Sequence, residues 1–272
     1  MQSKLAAALL LLIPAIPAYA QETDPPKPLT VSGSVALVSD YRFRGVSQSD
    51  EEMAVQGGLT VSHTSGIYAS VWGSNLSGWG TFGGANMELD LVAGFKTPLS
   101  SAVNLDVGVT WYMYPGGADK TDFAEPYAKL STTLGPVSAL VGVAYAPAQE
   151  ALGNWSATPE SRGGDKEDNL YVWTDLSSGV PGTPLTVKAH LGYSNGNPGL
   201  GPNGTSVAPT GKYLDWLIGA DFVTGPVTLG VAYVDTDITE ADSAYLLPNF
   251  SSTKDGSSIA GGKVLFSVSA AF

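Results

Sequence analysis

Long stretches of this sequence alternate between apolar and polar residues. Residues 86–96 ("NMELDLVAGFK") are the clearest case, because every second residue from Met87 to Phe95 is apolar and most of the others are polar. Successive side chains of a β-strand point to opposite faces, so this pattern predicts a strand with one apolar and one polar face. About twelve segments follow it. They are residues 31–43, 54–63, 67–74, 86–96, 103–114, 123–134, 137–145, 170–176, 185–194, 213–222, 227–234 and 263–272.

The connections between these segments alternate in length. The short ones contain Gly and Pro, which favour tight turns, and lie at residues 65–66, 97–101, 135–136, 177–184 and 225–226. Most of the others are longer and polar, the three longest being 146–168, 196–212 and 236–262. Short turns at one rim and long loops at the other are typical of outer-membrane barrels, and soluble sandwiches have no reason to sort loops in this way.

The chain ends on an alternating segment rather than on a polar tail. Phe266, Val268 and Phe272 lie on its apolar face, and we predict that this segment is the strand that closes the barrel. The predicted fold is therefore all-β: a transmembrane antiparallel up-and-down β-barrel of about 12 strands, with short periplasmic turns and long extracellular loops. A soluble secreted β-sandwich is the alternative.

The first residues have the pattern of a secretory signal peptide. Lys4 is followed by an apolar stretch at 5–13 and by the small-x-small sequence Ala18-Tyr19-Ala20, so we predict a signal peptide at 1–20 that is removed after Ala20. Residues 21–28 form a Pro-rich leader that we expect to be disordered, and residues 29–272 form the barrel. The predicted location is the cell outer membrane of a Gram-negative bacterium.

Composition excludes some functions. Without the signal peptide the chain has 12 basic and 25 acidic residues, a formal charge of −13, which disfavours binding to nucleic acid. The chain has no cysteine, so neither disulfides nor thiolate metal sites are available. We predict no cofactor and no metal.

Four segments resemble a family of proteobacterial outer-membrane proteins, the TorF family of porin-like proteins. They are residues 39–76 ("SDYRFRGVSQSDEEMAVQGGLTVSHTSGIYASVWGSNL"), 87–95 ("MELDLVAGF"), 108–116 ("GVTWYMYPG") and 212–220 ("KYLDWLIGA"). The resemblance implies an outer-membrane barrel with a pore. It implies no substrate and no catalytic residues.

Charged residues of both signs fall repeatedly on the polar faces. A Lys or Arg on the lipid face near the membrane midplane costs about 2–4 kcal/mol, so we expect these residues to line a hydrated lumen. The acidic lumen and selectivity candidates are Asp40, Glu88, Asp90, Asp106, Glu125, Asp175, Asp215 and Asp221. The basic candidates are Arg42, Arg44, Lys129, Lys188 and Lys263.

Strand direction predicts how some of these charges are arranged. Arg42 and Arg44 end the first predicted strand and Lys263 begins the last, so closure would bring them together as one basic patch. An acidic wall would face this patch. Its predicted members are Glu88, Glu125 and Asp215. The two walls would orient polar solutes, and the excess of acids favours a weak preference for cations. The alternative is that these residues pair with one another and fill a narrow barrel.

The function predicted from these features is an ion channel of porin type for passive transport of small polar or ionic solutes. The alternative is a barrel plugged by its long loops, with a structural or surface-binding role. We predict no enzyme, because neither His63 nor His190 lies near an obvious nucleophile. The predicted partners are outer-membrane lipid, lipopolysaccharide, and the barrel-assembly machinery through the C-terminal strand. The acidic run Asp50-Glu51-Glu52 is predicted to lie in a solvated loop, with divalent-cation binding as the alternative.

Overall fold

A computed structural model describes residues 28–153, 166–201 and 204–272. Twelve of its strands form a closed antiparallel barrel, which confirms the predicted fold class. The predicted signal peptide and nearly all of the predicted leader lie outside the described residues. The barrel strands are β1 (Leu29–Val38), β4 (Ala54–His63), β5 (Ile67–Asn75), β6 (Met87–Pro98), β7 (Val103–Met113), β8 (Phe123–Leu134), β9 (Val137–Gln149), β10 (Glu167–Gly179), β11 (Leu185–Gly196), β12 (Lys212–Thr224), β13 (Val227–Thr236) and β14 (Lys263–Ala271).

The barrel closes between its first and last strands. β1 pairs with β4 on one side and with β14 on the other, where Leu37 lies opposite Val268. The backbone of Phe272 exchanges two hydrogen bonds with Gly33 just beyond this pairing. Closure leaves no strand edge with unpaired backbone groups, which would be costly in an apolar surrounding.

The two rims of the barrel differ. The short-turn end carries the connections at residues 64–66, 99–102, 135–136, 180–184 and 225–226. The long-loop end carries the connections at residues 39–53, 76–86, 114–122 and 237–262. This sorting of loops is the one that the sequence predicts.

Side chains alternate between the lumen and the outer surface along every barrel strand. Large apolar side chains point outward and stay exposed, as at Val141 (56%) and Ile218 (67%), whereas their neighbours along the strand point inward. Trp111, Tyr145 and Tyr193 lie outward near the long-loop end. The pattern of period two therefore assigned the faces of the wall correctly.

Aromatic side chains on the inward face lie across inward glycines of the neighbouring strand. A Cβ atom on Gly94 would lie 2.5 Å from the ring and hydroxyl of Tyr68, and one on Gly108 would lie 2.5 Å from the hydroxyl of Tyr127. Both pairs are directly opposite in register. Glycine at these positions lets large rings lie flat against the wall, and the rings narrow the lumen.

The first strand is shorter than predicted. β1 ends at Val38, and residues 39–53, which we call the inner loop, fold into the long-loop half of the lumen. Within it β2 (Arg42–Phe43) and β3 (Val46–Ser47) form a small hairpin. Its turn has positive φ at Arg44 (49°) and Gly45 (80°), which glycine tolerates and other residues seldom adopt. Phe43, the last residue of the first predicted strand, instead packs in the lumen against Tyr112.

A second loop covers the same end of the barrel. Residues 237–262, which we call the cap loop, contain the short helix α1 (Glu240–Ser243) with Thr239 as its N-cap. Leu246 and Phe250 of the cap loop pack with Val46 of the inner loop and with Trp79 in one buried apolar cluster. No helix of the described residues is long and apolar enough to cross a membrane.

Candidate solute pathway in the barrel lumen

Asp40 organises the inner loop. It was predicted to lie on the first strand, but it is buried in the loop and accepts hydrogen bonds from the hydroxyls of Ser47 (2.6 Å) and Ser49 (3.1 Å) and from Arg42 Nε (2.8 Å). Charge-assisted bonds of this kind are among the stronger ones in proteins. The carboxylate therefore holds together the two arms of the hairpin.

The predicted basic patch of three cations is wrong, because Glu51 neutralises two of them and the third lies elsewhere. Arg42 and Lys263 both bind Glu51, with Nη2–Oε1 and Nζ–Oε2 distances of 3.1 Å and 3.0 Å. Arg44 points away from them into the lumen. The prediction placed Arg42 and Arg44 at the outer end of the first strand, and the inward fold of residues 39–53 gives them different partners.

Arg44 crosses the lumen to the opposite wall. Its Nη2 atom lies 2.6 Å from Oε1 of Glu125 on β8, and its guanidinium lies 4.1 Å from the centre of the Tyr171 ring. Glu125 also accepts a hydrogen bond from the hydroxyl of Tyr112 (3.2 Å). Both side chains of the ion pair are only 4% exposed, so the pair is desolvated and depends on its geometry. The predicted acidic wall is present here, but a cation contacts it directly.

Glu88 and Asp90 lie inward on β6, as predicted. Oε2 of Glu88 accepts a hydrogen bond from the hydroxyl of Tyr41 (3.2 Å), whose pKa is raised well above its ordinary value by burial, so that the hydroxyl keeps its proton. Oδ1 of Asp90 is buried without a hydrogen-bond partner among the described residues. Glu88 also borders a small cavity between the inner loop and the wall, with room for one water molecule.

His190 lies in a network that the sequence did not reveal. Its Nδ1 atom lies 2.6 Å from Asp175 and its Nε2 atom 3.2 Å from Asp215, and the hydroxyl of Tyr171 is within 2.9 Å of Nε2. All of these side chains come from adjacent strands β10, β11 and β12, so the register places them together. His63, in contrast, is exposed on the outward face beside a short turn.

The short-turn half of the lumen is lined differently. Lys188 binds both oxygens of Asp221, at 2.7 Å and 3.0 Å, while Asp106 lies between Lys96 and Lys129 at the longer distances of 3.5 Å and 3.9 Å. Small hydroxyl side chains occupy many other inward positions and mostly keep contact with solvent. They include Thr60, Ser70, Ser131, Ser138 and Ser177. This half resembles a polar vestibule.

The acidic run Asp50-Glu51-Glu52 joins the inner loop to the cap loop. Asp50 bonds the hydroxyl of Thr253, and Glu52 pairs with Lys254. The predicted solvated loop is thus wrong for Asp50, which is 3% exposed. Within the described residues no group of three or more His, Cys, Asp or Glu side chains is arranged to hold a metal ion.

The tyrosines of the lumen are the residues that the sequence reasoning missed. Tyr41, Tyr68, Tyr112 and Tyr171 each donate a hydrogen bond to an inward carboxylate. Tyr68, Tyr112 and Tyr171 lie at the same alternate positions of their strands as the inward charged residues. The alternation in the sequence could therefore have identified them as lumen residues. Tyr41 lies in the inner loop, where the alternation no longer applies.

The architecture is similar to that of solved porins. The "NanC porin structure in rhombohedral crystal form" aligns with a TM-score of 0.53 and 12% identity, covering 89% of this chain and 99% of that chain. The "KdgM porin in complex with disordered oligogalacturonate" aligns with a TM-score of 0.52 and 7% identity, again covering 89% and 99%. At such low identity the similarity establishes the fold alone.

No curated protein matches the chain in sequence. One family matches, under the description "Bacterial protein of unknown function (Gcw_chp)", and the match spans residues 22–272. It therefore includes every barrel strand, the inner loop and the cap loop. The chain belongs to the Gcw_chp family.

Proposed function

We propose that the protein is an outer-membrane channel of porin type for passive diffusion of small polar or ionic solutes. In the conformation described here, the inner loop closes its long-loop end. One observation carries the proposal: a closed barrel with an apolar outer face encloses a lumen lined with ionisable groups, and the segment that lies across one end of this lumen is a loop rather than part of the wall. The Arg44–Glu125 pair spans this lumen at 2.6 Å. Rings of charged side chains set selectivity in pores, and a mobile constriction can gate them.

The outer surface supports the proposed location. Leu37, Val141 and Ile218 are examples of outward apolar side chains that are 45–67% exposed, and such a surface suits hydrocarbon rather than water. The long-loop end would then face outward and the short turns the periplasm. Export by the predicted signal peptide, contact with lipid and lipopolysaccharide, and assembly through β14 all belong to this proposal.

The proposed roles of the lumen residues follow from their contacts. Arg44 and Glu125 close the long-loop half, with Asp40 and Arg42 holding the loop that carries Arg44. When the inner loop withdraws, Glu125 and Glu88 lose their partners Arg44 and Tyr41 and become free to meet a solute. Together with Asp90 on β6 they form a set that favours cations at this level of the lumen. The TorF resemblance at residues 39–76, which include the inner loop, agrees with a pore.

A permanently plugged barrel is the second candidate. The observation that favours it is the number of bonds that hold the inner loop, including those from Asp50 and Glu52 to the cap loop. Catalysis is not proposed, because the two carboxylates and the tyrosine hydroxyl around His190 fix the ring in place rather than activate a nucleophile.

Conductance in planar lipid bilayers tests the proposal. The refolded protein is compared with a variant in which residues 42–51 are replaced by a Gly-Ser linker of equal length. The proposal predicts rare openings for the unmodified protein and frequent, larger steps for the variant, with a reversal potential that leans toward cations in a salt gradient. Silence of both proteins, with intact barrels by circular dichroism, would contradict the channel and favour the plugged barrel.

A further inference from the structure

Three charged residues form a row across neighbouring strands in the short-turn half of the lumen. Lys96 on β6, Asp106 on β7 and Lys129 on β8 are directly opposite one another in register, and all three point inward. The row has two positive charges and one negative charge. It therefore forms a basic site on the wall of a barrel whose overall charge is acidic.

The two ammonium groups are incompletely paired. Nζ of Lys129 lies 3.9 Å from Oδ2 of Asp106, beyond hydrogen-bond distance, and Nζ of Lys96 lies 3.5 Å from the same oxygen. Oδ2 itself is buried and accepts no hydrogen bond from the described residues. The other oxygen of Asp106 is taken by the hydroxyl of Tyr68 (2.7 Å).

Lys129 is the unusual member of the row. Its side chain is only 4% exposed, yet it donates no hydrogen bond to any described residue. The other described contact of its ammonium is with the face of the Tyr127 ring, 4.1 Å from the ring centre. The nitrogen atom itself is not sealed from the lumen, so its N–H groups can reach an acceptor there, either water or a solute. By comparison, Lys188 donates to both oxygens of Asp221.

Two tyrosines shape the surroundings of the row. The ring of Tyr68 lies under Nζ of Lys96 at 4.7 Å, that of Tyr127 lies under Lys129, and the two hydroxyls contact each other. Each ammonium is thus held against a flat ring by a cation–π contact. These contacts use the charge of the ammonium groups but not their N–H donors, which remain available to another acceptor.

We propose that Lys129 and Lys96 form a binding site for the anionic group, carboxylate or phosphate, of a small solute in the lumen. The proposal rests on the channel function, since it assigns a chemical class to what the lumen admits. Lys96 is half-exposed and meets the solute first, and Lys129 then completes the coordination from the wall. Asp106 holds the two cations in place and weakens the site enough for release, which conduction requires.

Calorimetric titration of the folded protein in detergent micelles tests the site without depending on conduction. Succinate and inorganic phosphate are the probes, at constant ionic strength. Replacing Lys129 by Met should weaken binding about tenfold, the effect of losing one charged hydrogen-bond donor. Asp106→Asn keeps an acceptor for Tyr68 but removes the competing charge, so it should strengthen binding. The control is Lys212→Met, which changes the net charge by the same amount at the exposed start of β12 and should leave the affinity for both probes unchanged.

Lys129→Met should lower the affinity for the anion, whereas Asp106→Asn should raise it. A merely structural role of the two residues would not give changes of opposite sign. If Lys129→Met leaves the affinity for both probes unchanged, or if the unmodified protein binds neither, the proposal is wrong. A preference for succinate over phosphate, or the reverse, identifies which anionic group the site accepts. The channel can still conduct in bilayers when the site fails these tests, so the two proposals fail separately.

Discussion

The two halves of the lumen have the same wall but different interiors. In the long-loop half, a segment from outside the wall fills the space and makes short, buried contacts, such as the 2.6 Å Arg44–Glu125 pair. In the short-turn half, charged residues pair only with neighbours on the wall, some closely as in Lys188–Asp221 and some at longer distances such as the 3.9 Å Lys129–Asp106 pair, and small hydroxyl groups keep contact with solvent. Strand alternation thus determines which residues face the lumen, whereas the loops determine whether the lumen is open.

The largest expected effect comes from removing the inner loop. A Gly-Ser linker in place of residues 42–51 takes away Arg42, Arg44 and Glu51, so the long-loop half should become as open as the other half. We expect the greatest rise in conductance of any variant described here, measured as step size in planar bilayers. The short-turn half is unchanged and serves as the internal reference. An unchanged step size would mean that the inner loop does not limit the pathway.

Breaking the buried ion pair should have the next largest effect. Glu125→Leu leaves the guanidinium of Arg44 buried without its carboxylate, which should destabilise the folded protein by about 3–5 kcal/mol. The double variant Arg44→Met with Glu125→Leu should recover most of this loss, because it removes both charges. Urea unfolding in micelles measures both values.

The control for this pair is the exposed one between Lys120 and Glu150, which are 3.0 Å apart. Glu150→Gln should leave the unfolding midpoint nearly unchanged, since exposed pairs contribute little. If Glu125→Leu were as mild as this control, Arg44 would not be held by the wall in the way that the structure indicates.

The packing of aromatic rings in the short-turn half gives a third test. Gly94→Ala would place a Cβ atom 2.5 Å from the Tyr68 ring and displace it, with an expected loss of about 1–3 kcal/mol. Gly57→Ala is the matched control, because its Cβ would meet nothing closer than 3.5 Å. Unfolding in urea distinguishes the two, and equal midpoints would show that Tyr68 does not rest against this glycine.

The smallest effect concerns the exposed bond between the inner loop and the cap loop. The hydrogen bond and charge of Lys254 lower the pKa of Glu52 below its ordinary value. The contact is therefore fully present above the pKa of the unfolded chain and is lost as the pH falls through the lower, folded value. Channel openings should become slightly more frequent over this acidic range. Glu52→Gln should abolish this part of the pH dependence, and an unchanged pH profile would contradict it.

The sequence predicted the strands of the barrel wall well, but it did not predict that the inner loop folds into the lumen. The difference has a physical reason. The period of two marks inward positions such as Glu88, Asp106 and Lys129 because a barrel strand has only two faces. Residues 39–43 continue the same alternation beyond Val38, so nothing in the pattern showed that the strand ends there. The positive φ of Arg44 and the pairing of Asp40 with Ser47 and Ser49 are contacts within a folded loop, and local periodicity does not encode them.

Thiol labelling tests most directly the claim that one half of the lumen is open and the other closed. The chain has no cysteine, so single cysteines can be placed at Ser177, inward in the short-turn half, and at Thr236, a buried inward residue of the long-loop half against which Gly45 of the inner loop packs. A membrane-impermeant maleimide should label Ser177→Cys rapidly and Thr236→Cys only after residues 42–51 are replaced. Equal labelling rates of the two positions in the unmodified protein would contradict the account.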